Sequence, residues 1–397
     1  MLRHQATPRD RATADRREQR PSRLSRFPAG SGATRSATIR FTLQPRCDKT
    51  QAVTLELLIA GQVARFPEAP LERQVFGTDD ARDISDLIRG WCIVHLGATV
   101  TGVWLWSVST GCVAGLDLDD GRQVVVKVYA PDRPAARLAT IVSVQAFAAD
   151  LGLPAPQPVS GPTCLGLGLG TAELPLTAGR KPDLLARPDR KTAADGWFRL
   201  SAALEAVAPE LIQSSTAARR VVDGLYPEPH SPLFDFEGTS RGAEWIDELA
   251  RRALEIIRRD DSQPVVAHTD WRSDNLRVST DGNELTAIYD WDSVRVEPIA
   301  TALGQVAAMH SIDWTTGNGP YFATAAECVD FARCVERTRP IPFSQHQWEV
   351  IRAAIVYGWC CTSRAEHARV SVGDDNPQFH MRDRLRSEGV PLLQPEQ

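Results

Sequence analysis

The sequence contains no Cys-x-x-Cys pair, no His-x-His and no His-Glu-x-x-His, although it holds eight cysteines and eight histidines. Those absences exclude the common zinc sites, which need thiolates or imidazoles at such spacings. The nearest cysteines, Cys328 with Cys334 and the adjacent Cys360 and Cys361, read as buried thiols of a reducing compartment, so a cytoplasmic location is expected. No Gly-x-x-x-x-Gly-Lys-Ser/Thr occurs, which rules out a Walker-type nucleotide loop, and there is no internal repeat. Positive charge is scarce over most of the chain. Residues 1–46 carry eleven Arg against three acids, and with a formal charge of −5 overall the other residues hold −13. That balance argues against nucleic acid as a partner, and within a cleft it favours a cationic small molecule.

Long apolar runs are also few. Cys92 to Leu116 has no Asp, Glu, Lys or Arg over 25 residues, enough to span a bilayer. It is interrupted by Gly, Ser, Thr and His95, however, and ends at the turn Asp117–Gly121 before Gln123–Tyr129. It therefore reads as a buried β-hairpin, and no membrane partner is expected.

What is present falls into an order. The Arg-rich start has no hydrophobic periodicity and reads as a disordered basic tail over residues 1–50. A basic binding arm or an organelle transit peptide are the alternatives, but the acids Asp10, Asp15 and Glu18 spoil a transit pattern and favour an extension without function. Helical patterns at Val53–Phe66 and Asp79–Trp91 give an N-terminal helical extension over 51–95. Strands follow at Val103–Val108, Val113–Leu118 and Gln123–Tyr129, then a helix at Ala135–Leu151 with Leu138, Ile141, Val142, Gln145 and Ala149 on one face. Two more strands, Cys164–Leu169 and Thr171–Leu176, complete a β-rich lobe over 96–176. Helices dominate beyond it, at Thr192–Val207, Arg241–Arg259, Ala325–Glu336 and Gln345–His367, giving a second lobe over 177–370 and a C-terminal tail over 371–397.

Chemistry concentrates in VVAHTDWRSDNLRVSTDGNELTAIYDWDS, Val265 to Ser293. Phosphoryl transfer from ATP needs a carboxylate to orient the attacking hydroxyl and oxygen ligands to hold Mg2+ against the phosphates. Asp270 can accept the hydroxyl proton, and Asn275 and Asp290 can ligate the metal. The hairpin Leu276–Ser279 and Leu285–Tyr289, turned by Asp-Gly-Asn, brings Asp290 back beside Asn275. Asp292 either reaches a second Mg2+ through water or caps the next turn. Asp274 reads as a solvated loop residue, and Trp271 and Trp291 as packing. Any one of these acids or amides could be a loop cap; the combined spacing is what argues for a site.

These residues carry a resemblance. HTDWRSDN, His268 to Asn275, resembles the HxDxxxxN catalytic loop of the aminoglycoside phosphotransferase / choline kinase-like family, and YDWDS resembles its metal-binding segment. The resemblance covers about Leu96 to His367 and includes VVVKVY and GLPAPQPV. It implies an α+β, bilobal protein-kinase-like fold with a small β-rich first lobe and a larger helical second lobe. It implies ATP and Mg2+ as cofactors and a small-molecule hydroxyl acceptor, aminoglycoside-like, choline-like or another small alcohol. By residue, it implies Asp270 as catalytic, Asn275 and Asp290 as metal ligands, His268 as the brace of the loop, and Lys127 as the strand lysine on the phosphates. The loop SVSTGC offers Ser109 and Gly111 to cover the phosphates. ELPLTAG, from Glu173, falls where the lobes join, either as an adenine-binding stretch or as a plain linker. One departure stands out: between Lys127 and Glu173 no Glu lies on the helix to pair with the lysine. Gln145 is the candidate in its place, its amide oxygen accepting a hydrogen bond from Lys127. That departure leaves a nucleotide-binding pseudokinase as the rival reading. A metal-dependent phosphoesterase would want more His and carboxylate ligands than are clustered here.

Overall fold

The computed structural model describes residues 54–65, 70–176, 179–207, 224–227, 234–316, 320–371 and 380–394. The disordered basic tail expected over residues 1–50 lies outside the described residues, as do Thr177 and Ala178 of the stretch expected to join the lobes.

The first lobe is a five-stranded antiparallel sheet of β1 (Val100–Val108), β2 (Gly111–Leu118), β3 (Gln123–Tyr129), β4 (Pro158–Leu165) and β5 (Gly168–Glu173), ordered β1-β2-β3-β5-β4. Strict alternation in β3 sends Val124, Val126 and Val128 to one face, where they are fully buried. Burial of each contributes at most about 1.5–3 kcal/mol. The same alternation leaves Val125, Lys127 and Tyr129 on the opposite face. Three helices, α1 (Leu55–Arg65), α2 (Pro70–Phe76) and α3 (Ala81–Leu96), cover the valine face through Leu55, Ile59, Val75, Ile84 and Ile88. The start of α3 is set by Asp80, whose carboxylate accepts the Arg82 and Asp83 N–H groups at 2.9 and 3.0 Å. The uncharged run from Cys92 thus divides into the end of α3 and the β1–β2 hairpin. No helix among the described residues is long and apolar enough to cross a membrane.

The β4–β5 hairpin turns earlier than expected, at Gly166 with φ +63°. A Cβ there would lie 2.7 Å from the Phe76 Cα, so glycine lets α2 approach the turn. Glycines at 166, 168 and 170 make several turn positions equally plausible from sequence alone. The helix between β3 and β4, α4 (Ala135–Asp150), buries Leu138, Ile141, Val144, Gln145 and Ala148. The expected stripe is rotated slightly, since Val142 and Ala149 are only half-buried. Ile141, Val144 and Ala148 belong to the core of the second lobe, so α4 ties the two together.

That second lobe contains α5 (Arg187–Ala203), α6 (Glu244–Ile257), α7 (Ile299–Met309), α8 (Ala325–Thr338), α9 (Gln345–Ser371) and α10 (Met381–Leu392). Two short antiparallel pairs sit among them, β6 (Pro264–His268) with β9 (Val294–Pro298) and β7 (Leu276–Val278) with β8 (Leu285–Ile288). Helix α7 has no polar stripe for periodicity to reveal, because it is apolar all round and buried between neighbours. Its Gly304 meets α9 so closely that a Cβ would collide with Ala354 and the Ile351 carbonyl. Part of the expected C-terminal tail is helix α10, whose Met381 and Leu385 are fully buried. Gly389 and Pro391 in its last turns mask that helix in the sequence.

His310, at the end of α7, is fully buried against the Phe331 ring, with Nδ1 donating to the Ala307 carbonyl at 2.7 Å. Its own carbonyl accepts the Ser273 N–H, so it braces the loop that follows β6. Burial depresses its pKa to about 4, with Arg190 adding to the fall and the hydrogen bond to Ala307 and the charges of Glu327 and Asp330 opposing it. A depressed folded pKa means the unfolded chain binds the proton first. The stability contribution is therefore complete above about pH 6.5 and is lost as pH falls toward 4, by about 3 kcal/mol in all. Urea midpoints of the wild type and His310→Phe, compared at pH 7 and pH 5, should show a smaller drop in the variant. Equal drops would show that His310 is not the group responsible.

Candidate active site

Strand β6 ends at His268, which is completely buried. Its Nε2 faces the Tyr289 carbonyl at 2.8 Å, an atom that can only accept, so Nε2 carries the proton. Nδ1 then accepts from Ser293 Oγ at 3.2 Å. Trp271 and Trp291 stand edge-on to the imidazole at 5.6 and 5.9 Å. Burial lowers the His268 pKa and keeps the ring neutral. The surrounding indoles anchor the loop to helix α5: Trp197 Nε1 donates to the His268 carbonyl and Trp271 Nε1 to the Ala193 carbonyl, each at 3.1 Å. Each such bond contributes about 1 kcal/mol net. His268 is a bracing residue by position, and both loop tryptophans are packed.

Asp270 follows with its side chain 28% exposed, one edge open to solvent. Asn275 Nδ2 donates to Asp270 Oδ2 and to its carbonyl, both at 2.9 Å, closing the loop on itself. With its two amide hydrogens so used, Asn275 has Oδ1 left for a cation. Arg272 Nε lies 2.7 Å from Asp270 Oδ1 and 3.5 Å from Asp274 Oδ1. Withdrawal from water raises the Asp270 pKa, Arg272 opposes the rise and Asp290 adds to it.

Asp274 is not the solvated residue that its neighbours in sequence suggest. Its side chain is 5% exposed, accepts the Trp314 N–H at 3.2 Å, and has its pKa pushed up by burial to about 6. The loop folds inward around Arg272, and the hydrogen-bond partner comes from forty residues away. Arg272 is a site residue that neither motif marks. The available signal was a guanidinium two residues from each of two carboxylates, in a loop too short to hold them apart.

The β7–β8 hairpin returns the chain as its spacing implies, and the Tyr289 N–H donates to the Asn275 carbonyl at 2.9 Å. Asp290 then adopts φ 64°, the one non-glycine residue with positive φ among the described residues. Asp tolerates this conformation better than most residues, and such strain clusters where a side chain must be aimed. Burial resists ionisation of Asp290, but a hydrogen bond from Asp292 and the charges of Lys127 and Arg272 outweigh it, and its pKa falls. The Asp292 pKa is driven the other way by burial and by the Asp290 charge. The two carboxyls thus lie close enough to push each other's pKa in opposite directions, a repulsion that a divalent cation would relieve. Among the described residues no three His, Cys, Asp or Glu side chains form a metal cage. Two carboxylates and an amide oxygen suit Mg2+, which takes its remaining ligands from water and phosphate.

Across from this loop, Lys127 Nζ lies 3.0 Å from Glu173 Oε1. Burial alone would lower the lysine pKa, but Glu173, Tyr129 and Asp290 more than offset it and keep the ammonium charged. Gln145 is buried on the inward face of α4, as expected, but it does not bond Lys127. Its Nε2 donates to Glu173 Oε2 at 2.8 Å and to the Pro156 carbonyl at 2.7 Å. The carboxylate that the helix lacks comes from the end of β5. Glu173 thus contacts Lys127 and Gln145 through its side chain, where the sequence suggested only a backbone contact or a linker. At the β1–β2 turn the Ser109 N–H donates to the Gly111 carbonyl at 3.0 Å. A Cβ on Gly111 would lie 2.5 Å from the Val128 carbonyl, so strand packing by itself accounts for that glycine.

The model of the phosphotransferase enzyme family matches residues 116–336, from within β2 to within α8. No curated protein matches the sequence significantly. Among solved structures, the amicoumacin kinase hAmiN in complex with AMP-PNP, Ca2+ and Ami is 10% identical over 73% of this chain and 87% of its own, with a TM-score of 0.50. The Plasmodium vivax ethanolamine kinase is 12% identical over 88% of this chain and 96% of its own, at 0.49. A choline/ethanolamine kinase family protein from Mesorhizobium loti is 11% identical over 78% and 93%, at 0.46. At 10% identity the likeness to hAmiN concerns the fold alone, and the sheet-bearing first lobe and helical second lobe described above are the α+β architecture that the sequence leads one to expect.

Proposed function

Since the chain belongs to the phosphotransferase enzyme family, we propose that it transfers the terminal phosphoryl group of ATP to a hydroxyl of a small molecule. The observation that carries this reading is the half-open carboxylate of Asp270, held by Asn275 in one loop and close to Asp290, whose charge Lys127 also feels. Asp270 orients the acceptor hydroxyl and takes its proton as the new oxygen–phosphorus bond forms and the bond to the ADP oxygen breaks. Lys127 contacts the phosphates as a fixed positive charge. Asn275, Asp290 and Asp292 would hold Mg2+, which would neutralise charge on the phosphate oxygens. His268 keeps the loop in place without touching substrate.

The solved hAmiN complex contains AMP-PNP and Ca2+, in keeping with a nucleotide and a divalent cation here. The charge of −13 outside the first 46 residues favours a cationic acceptor, choline-like or aminoglycoside-like. The pseudokinase alternative rests on the missing helix glutamate, and Glu173 beside Lys127 weakens that ground. The test is Mg2+-dependent ADP release by the full chain across a panel of hydroxylated metabolites and antibiotics. Acceptor-dependent release is expected with cationic alcohols. Tight ATP binding with no release for any acceptor would favour the pseudokinase.

A further inference from the structure

We propose that Glu173 on β5 supplies the carboxylate that aims Lys127 at the nucleotide, and that Gln145 is a positioning residue acting through Glu173. This rests on the phosphotransferase reading and adds to it an exchange of roles: the amide stands on the helix and the acid on the strand.

The strand register dictates the pairing. In the β3–β5 ladder Lys127 is opposite Thr171 and Val125 is opposite Glu173, so Lys127 and Glu173 are diagonal neighbours on one face. Glu173 is 7% exposed, and its two carboxylate oxygens are divided between Lys127 and Gln145. The Gln145 amide gives its other hydrogen to Pro156, in the segment between α4 and β4, so the carboxylate is held from strand, helix and loop together. A Glu at position 145 would instead face Glu173 with like charge, where the native contact is 2.8 Å.

The exchange has a mechanical consequence. In protein kinases the lysine's partner sits on a helix whose position controls activity. Here the backbone of β5 is hydrogen-bonded to β3 on one side and β4 on the other, so the sheet carries the acid. Strand register thus sets the Lys127–Glu173 pair, and α4 adds the Gln145 hydrogen bond that holds the other carboxylate oxygen.

The experiment compares Glu173→Gln, Gln145→Ala, Gln145→Glu and the double variant Glu173→Gln/Gln145→Glu. Each is checked for an unchanged thermal midpoint, then assayed for Mg–AMP-PNP affinity by calorimetry and, with an acceptor in hand, for kcat and KM for ATP. Glu173→Gln should weaken AMP-PNP binding about tenfold or more and lower kcat, Gln145→Ala should do the same to a smaller degree, and Gln145→Glu should be impaired. The double variant restores one acid and one amide in exchanged places, and should recover most of the loss seen in Glu173→Gln. A merely structural role would lower the midpoint of Glu173→Gln and give no recovery in the double variant. Wild-type affinity in Glu173→Gln, or a double variant no better than either single one, would overturn the proposal. Because AMP-PNP binding needs no acceptor, this test gives an answer even if no phosphoryl transfer is ever detected, the result that would count against the proposed function instead.

Discussion

Asp270→Asn should lower kcat by about 10²–10⁴, the usual contribution of a positioned general base, while leaving MgATP affinity within a few-fold. Asparagine has the same shape and can still accept from the Asn275 Nδ2 that closes the loop at 2.9 Å. It cannot take a proton from the acceptor hydroxyl. The cost to the fold is limited, because Arg272 keeps Asp274 as a second carboxylate 3.5 Å away. Removing one partner of this partly open pair should therefore cost less than the 3–5 kcal/mol of breaking a fully buried pair. Single-turnover rates and calorimetry separate the two effects. An equal loss in rate and in nucleotide affinity would mean that Asp270 binds nucleotide, and the division of roles would fail.

The second large effect is expected at Asp290. The structure decides which variant to make: at φ 64° alanine is strained, so Asp290→Ala would mix backbone cost with ligand loss. Asp290→Asn keeps a side chain that tolerates the left-handed region and removes only the charge. ATP affinity in Mg2+ should fall about 100-fold or more, the equivalent of roughly 2.7 kcal/mol, and affinity measured in EDTA should change little. Asp292 blunts the effect to some degree, because losing the Asp290 charge removes one cause of its own raised pKa and leaves it readier to ionise. Asp290→Asn with Asp292→Asn should then be worse than either alone. If Asp290→Asn loses affinity equally in Mg2+ and in EDTA, Asp290 is not a metal ligand.

The parts of this protein legible in its sequence are those that neighbouring residues decide. The loop from His268 to Asn275 and the hairpin back to Asp290 span 23 residues, with a turn signal between two short strands, so their closure follows from local geometry. The alternation Val124, Val126, Val128 likewise puts Lys127 on the other face of β3 without reference to anything distant. Helix α4 had a visible apolar face, which placed Gln145 inward.

Tertiary structure decided what faces what. Gln145 points inward in either reading, but whether it meets Lys127 or Glu173 depends on the register between β3 and β5, whose paired residues lie forty or more positions apart. Asp274 looks exposed in sequence because loop acids usually are, yet its side chain is withdrawn from solvent and accepts the Trp314 N–H from forty residues away. The left-handed turn at Asp290 has no glycine to announce it. Local sequence specifies the period of an element and therefore its faces. Which charge ends beside which is set only when sheets choose a register and lobes close, since burial and opposite charge act over a few ångströms, whatever the distance along the chain.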